Sequence, residues 1–62
     1  MFDDNFETKE QGIEKLKEVV SIRNRMGGYL YWNIVNDDCM KIADKLYGMG
    51  ASSEEIREIL NG

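Results

Sequence analysis

The chain contains 62 residues, of which 42% are apolar, and its 12 acidic and 8 basic side chains give a net charge of −4. This balance is typical of one small soluble domain and argues against a disordered chain. Because the sequence has no histidine and only one cysteine, Cys39, it excludes a histidine-based acid–base pair, a Cys/His zinc site and an internal disulfide.

The sequence predicts a cytoplasmic protein that does not enter a membrane. The first residue is Met, and no apolar leader follows it. The longest unbroken apolar run covers residues 29–32, whereas a membrane-spanning helix needs about 20 apolar residues. The free thiol of Cys39 needs no other explanation than service as a small, buried apolar side chain.

Residues 1–7 have no helical or strand period, and we predict that they form an arm before a single helical domain over residues 8–62. Phe2 and Phe6 are the large apolar side chains of this otherwise acidic stretch. We expect at least one of them to fold back on the core. The alternative is that they anchor a partner protein.

A first helix is predicted over residues 9–26. Thr8 and Gln11 fit a capping box, in which each side chain bonds a free backbone amide at the start of the helix. Gly12 weakens the helix by about 1 kcal/mol relative to alanine. Gly27 and Gly28 should end it with a left-handed cap. The apolar side chains that recur at helical spacing are Ile13, Leu16, Val19, Val20, Ile22 and Met26.

Residues 29–35 have the aromatic and β-branched content of a strand. Their apolar spacing, however, continues without a change of phase through residues 36–38. We therefore predict a second helix over residues 29–47. The alternative is a short strand followed by a helix that starts at Asp37 with Asn36 as its cap. The side chains in phase are Trp32, Val35, Cys39, Ile42, Ala43 and Leu46.

A short third helix is predicted over residues 53–60. Ser52 and Glu55 form a second capping box, and Ile56, Ile59 and Leu60 give the helix one apolar face. The short glycine connection turns the first two helices into an antiparallel hairpin. The predicted fold is therefore all-α, with a helical hairpin crossed by a short third helix.

Residues 42–60 resemble the front half of many helix-turn-helix domains. The similarity consists of an Ala-x-x-Leu-Tyr helix, a glycine turn and the pattern Ser-x-Glu-Glu-Ile-x-x-Ile-Leu. The resemblance implies a helix-turn-helix corner, but the helix that reads bases would follow Gly62, and the segment is acidic. We expect a corner that packs rather than one that reads DNA.

The sequence predicts a protein that is not an enzyme and that has no cofactor or metal site. Asp37 and Asp38 are adjacent, so on a helix their carboxylates point about 100° apart. Asp37 is better explained by a pair with Lys41, four residues on. Cys39 has no neighbouring base, and the two carboxylates would raise its pKa.

The best functional candidate is the aromatic stretch at residues 29–32. Four consecutive large side chains point in four directions on a helix, and so small a core cannot bury them all. We predict a non-catalytic protein-binding module, a regulator, adaptor or inhibitor of bacterial or phage type that binds another protein, itself as a homodimer, or both. The predicted protein-binding residues are Tyr29, Tyr31, Trp32, Met40 and Tyr47.

The alternative function is a small nucleic-acid-binding regulator. Residues 15–26 are locally basic, and aromatic side chains that can stack on bases follow directly. Arg23 and Arg25 are the candidate contacts to an anion or to nucleic acid. The net negative charge of the chain disfavours this alternative.

Overall fold

A computed structural model describes residues 5–62 of the chain. Within this range the chain forms three α-helices: α1 (Lys9–Arg25), α2 (Tyr29–Gly48) and α3 (Ser53–Asn61). The predicted all-α fold is confirmed, with α1 and α2 as a closely packed hairpin and α3 across it. Because α2 begins at Tyr29, residues 29–35 are helical and the strand alternative is wrong.

Both predicted capping boxes contribute a helix cap. The Thr8 hydroxyl oxygen accepts a hydrogen bond from the Gln11 amide at 3.2 Å. The Gln11 side chain also reaches back, but its Oε1 accepts from the Glu7 amide at 3.0 Å, one residue before the Thr8 amide that a standard capping box would use. At the start of α3, Ser52 Oγ accepts from the Glu55 amide at 3.5 Å. Each cap satisfies a backbone amide that the helix itself cannot pair.

The connection between α1 and α2 differs from the prediction of a left-handed glycine cap. Met26 ends α1 in an extended conformation, with φ −77° and ψ 132°, and its amide donates to the Arg23 carbonyl at 3.2 Å. Gly28 is the extended N-cap of α2, and neither Gly27 nor Gly28 has a positive φ. The chain leaves α1 through ordinary β-region backbone, which any residue can adopt.

The left-handed glycine cap lies instead at the end of α2. Gly50 has a φ of +92°, and its amide donates to the Tyr47 carbonyl at 3.1 Å. The Ala51 amide donates to the Leu46 carbonyl at 3.0 Å. This pair of bonds is the Schellman motif, which turns the chain sharply into α3. Glycine is required at position 50 because other residues pay a steric cost at this φ.

The core lies between the apolar faces of the three helices, and the predicted periodicity identified it. Trp32 departs from its predicted stripe because it is only half-buried. Ile13 and Met26 are also half-buried and pack against the core, whereas Ile22 is half-buried without packing against it. The buried apolar residues, each at most 3% exposed, are Leu16, Val19, Val20, Val35, Cys39, Ile42, Ala43, Leu46 and Ile56.

Phe6 folds back on the core as expected, whereas Phe2 lies outside the described residues. The Phe6 ring sits against Gly12, where an added Cβ would overlap Phe6 Cε2 and lie 2.6 Å from Leu46 Cδ2. The Lys45 ammonium lies 4.6 Å from the centre of the same ring. Gly12 is therefore a packing position where the start of α1 meets the end of α2, which is a role that helix propensity does not reveal.

Candidate functional site

Four neighbouring residues at the start of α2 expose large apolar side chains to solvent. Their exposed fractions are 82% for Tyr29, 69% for Leu30, 58% for Tyr31 and 39% for Ile34. Leu30 and Tyr31 lie four and three residues before Ile34, so the three side chains are neighbours on the helix surface. We call these four residues the entry patch. It belongs to a stretch, residues 27–36, without a single charged side chain.

The helix itself explains why the entry patch is uncovered. The core-facing side of α2 is fixed by Val35, Cys39 and the residues in phase with them, so Leu30 and Ile34 face away. The Cα–Cβ bonds of a helix tilt toward its N-terminus. First-turn side chains of α2 therefore project past the end of the hairpin, where α1 has already ended at Arg25.

Trp32 is set apart from the entry patch by a buried arginine. The Arg23 guanidinium lies over the Trp32 ring, 5.1 Å from its centre, and is only 8% exposed. Its Nη1 donates to Asn36 Oδ1 at 2.8 Å, and its Nη2 donates to the Leu60 carbonyl at 2.7 Å. Nε and Nη2 also donate to Asn24 Oδ1, at 3.1 and 3.0 Å. Arg23 thus joins α1, α2 and α3.

The two arginines predicted to contact an anion are not brought together. Arg23 directs its N–H groups at protein acceptors, whereas Arg25 is exposed and its Nε donates to the Ser21 carbonyl at 3.3 Å. Only Arg25 of this pair therefore presents a cation to solvent. The buried position of Arg23 had a sequence signal, because it lies three residues after Val20 and four after Val19 on the apolar stripe.

The five predicted protein-binding residues fall into three groups. Tyr29 and Tyr31 belong to the entry patch, and Trp32 lies beneath Arg23. Met40 and Tyr47 are each 44% exposed but lie further along α2, about 10 Å apart by helix rise. The predicted set also omits Leu30 and Ile34. Their four-residue spacing, once residues 29–35 are assigned to a helix, is the signal that finds them.

The groups that could carry chemistry occupy structural positions. Cys39 is buried, and burial raises the pKa of its thiol more than the nearby Arg23 charge lowers it. A neutral, inaccessible thiol is a poor nucleophile. Asp37 and Lys41 form the expected exposed ion pair at 3.6 Å. Within residues 5–62, no cluster of three or more His, Cys, Asp or Glu side chains is arranged to hold a metal ion.

The helices between residues 5 and 62 include none that is long and apolar enough to cross a membrane. Among the described residues, the most exposed large apolar side chains are those of Tyr29, Leu30 and Tyr31 in the entry patch. Comparison with known proteins adds nothing to this description, because no family model, curated protein or solved structure matches the chain.

Proposed function

We propose that this protein is a non-catalytic protein-binding module that acts through the entry patch. The observation that carries the proposal is the exposure of Tyr29 and Leu30, both more than two-thirds accessible, beside Tyr31 and Ile34. Moving each of these side chains out of water would lower the free energy by about 25 cal/mol per Å² of apolar area buried. Contiguous apolar surface of this kind is typical of binding sites on small proteins.

The residue types of the patch also suit protein recognition. Tyrosine supplies a large, rigid contact area together with a hydroxyl group that tolerates both water and an interface. The uncharged stretch over residues 27–36 can be desolvated without burying an unpaired charge. We expect a small acidic regulator, adaptor or inhibitor of bacterial or phage type that acts in the cytoplasm.

The nucleic-acid alternative has less support from the geometry. To contact a phosphate, Arg23 would have to leave Asn36 and the Leu60 carbonyl, which lie 2.8 and 2.7 Å from its guanidinium nitrogens. That exchange would break the hydrogen bonds by which Arg23 links the three helices. Arg25 alone, on a chain of net charge −4, would give weak phosphate binding that salt suppresses.

The proposal is tested by capture of partner proteins from the native cell. The bait variant Leu30→Ser/Tyr31→Ser removes exposed apolar area from the patch without touching the core. The comparison variant is Met40→Ser/Tyr47→Ser, which changes the two predicted binding residues that lie outside the patch on α2. We expect the comparison variant to recover the same proteins as the wild type and the patch variant to lose them. Equal recovery by all three baits would contradict a role for the patch.

A further inference from the structure

We infer that the entry patch binds the same patch on a second copy of this chain, with the two α2 helices related by a twofold axis. The inference rests on the proposed function, because it uses the same surface, and it adds the identity of the partner. Four observations carry it: an open glycine beside the patch, the area of the patch, its lack of charge and the charges that border it.

Gly27 lies directly before α2, beside the entry patch. Its φ is not positive, and a Cβ built on it would meet no described residue within 4 Å, so the space that its missing side chain leaves is open. Together with Gly28 it leaves an open groove, also lined by Met26, Tyr29 and Trp32, beside the entry patch. Gly48 is equally open, but only Gly27 borders the entry patch, where the missing side chain leaves room for a second copy to approach closely.

The area of the patch matches the requirement of a weak dimer. Taking about 150–250 Å² for an accessible tyrosine and slightly less for leucine or isoleucine, the four exposed fractions amount to roughly 500 Å². Tyr29 and Tyr31 lie about 200° apart around α2, so two copies would together bury at most roughly 1,000 Å². That area lies at the low end for a specific interface and corresponds to a weak isologous contact.

The distribution of charge favours a second copy as the partner and restricts how the two α2 helices can cross. An uncharged patch can meet itself without repulsion, although each copy carries a net charge of −4. Asp37 and Lys41, one and two turns beyond Ile34, are charged and exposed. Two α2 helices that ran side by side would bury them. If the two α2 helices instead cross at about 50°, the side chains of Leu30 and Ile34 can interdigitate at the crossing point. The helices then diverge before Asp37 and Lys41 reach the partner.

Sedimentation equilibrium of the purified 62-residue chain tests the inference. We expect a monomer–dimer equilibrium with a Kd of tens to hundreds of micromolar. Leu30→Ser should weaken it at least about tenfold, and Gly27→Ala at least about threefold. The matched control for the glycine is Gly48→Ala, whose Cβ would also meet no described residue within 4 Å but which lies at the far end of α2, about 28 Å from Tyr29 by helix rise. It should change the Kd less than about twofold.

Salt gives a second readout of the same equilibrium. Since both copies are acidic and the contact itself is apolar, raising the salt concentration should screen repulsion and tighten the dimer. A wild-type chain that stays monomeric up to about 1 mM would overturn the inference. So would a dimer that Gly27→Ala and Gly48→Ala affect equally, or one that salt weakens.

A photo-crosslinking side chain at position 31 separates failure of this inference from failure of the proposed function. A crosslinked dimer of the purified chain supports the inference. Adducts with a different protein in the native cell, without any crosslinked dimer, would overturn the inference and leave the proposed function standing. The absence of both products would contradict both.

Discussion

Replacing Arg23 with methionine should cost about 2–4 kcal/mol of the free energy of unfolding. Methionine keeps the apolar stem but removes the guanidinium that bonds Asn36 on α2 and the Leu60 carbonyl on α3. Leu60 is among the last four residues of α3, whose carbonyls have no partner within the helix, so the cation also caps that end.

The magnitude follows from two charge-assisted bonds between helices. Each is worth about 1.5–3 kcal/mol, and the loss is offset because methionine need not desolvate a charge. A domain of this length has a net stability of about 3–9 kcal/mol. Arg23→Met should therefore remove much of the stability, and Arg23→Lys, which keeps the charge but not the fork of donors, should remove about half as much.

Urea denaturation measures the effect, with far-UV circular dichroism as one signal and the fluorescence of Trp32 as another. The ring lies 5.1 Å from the Arg23 guanidinium carbon, so its emission should shift already in the folded Arg23→Met variant. Arg25→Met is the matched control, because Arg25 is exposed two residues later on the same helix. If both variants unfold at the same urea concentration, the network around Arg23 does not hold the helices together.

Four further variants test the packing of the core and its turns. Gly12→Ala should destabilise the protein by about 1–3 kcal/mol by thermal unfolding, despite better helix propensity, because the new Cβ overlaps Phe6 and a core leucine. Gly50→Ala should cost about 1–2 kcal/mol in the same assay, whereas Gly48→Ala, at an ordinary φ, should be neutral or stabilising. Burial raises the pKa of Cys39, so as the pH rises the thiol ionises first in the unfolded chain, and the free energy of unfolding should fall above about pH 8.5. Cys39→Ala should remove this contribution to the fall, as measured by urea titrations between about pH 7 and 10.

Local sequence patterns predicted the helices, because helix caps and apolar periodicity depend on residues close together in the sequence. The Thr8 and Ser52 caps lie where the capping boxes place them, and the continuous phase through residues 36–38 correctly assigned residues 29–35 to α2. The glycine connection was misread because glycine permits a left-handed φ without requiring it. The chain adopts that conformation at Gly50 and not at Gly27.

Tertiary packing decided the features that local patterns missed. Glycine at position 12 is unfavourable for an isolated helix. It is explained only by the close approach of the Phe6 and Leu46 side chains, which leave no room for a Cβ. From the sequence alone, the positive charge of Arg23 near the end of α1 is fully explained by a favourable interaction with the helix dipole. Its acceptors on α2 and α3 lie 13 and 37 residues away, so no spacing rule connects them.

The same buried cation determines which part of the aromatic stretch is free to bind. Trp32 stacks beneath Arg23 and is only half-buried, so its ring is held by the fold even though it is not sealed within the core. Tyr29, Leu30 and Tyr31 have no comparable contact and remain more than half exposed. Loss of the Arg23 network should therefore disturb the fold and the binding surface together. Loss of Leu30 should affect binding alone, which gives the two roles separate experimental signatures.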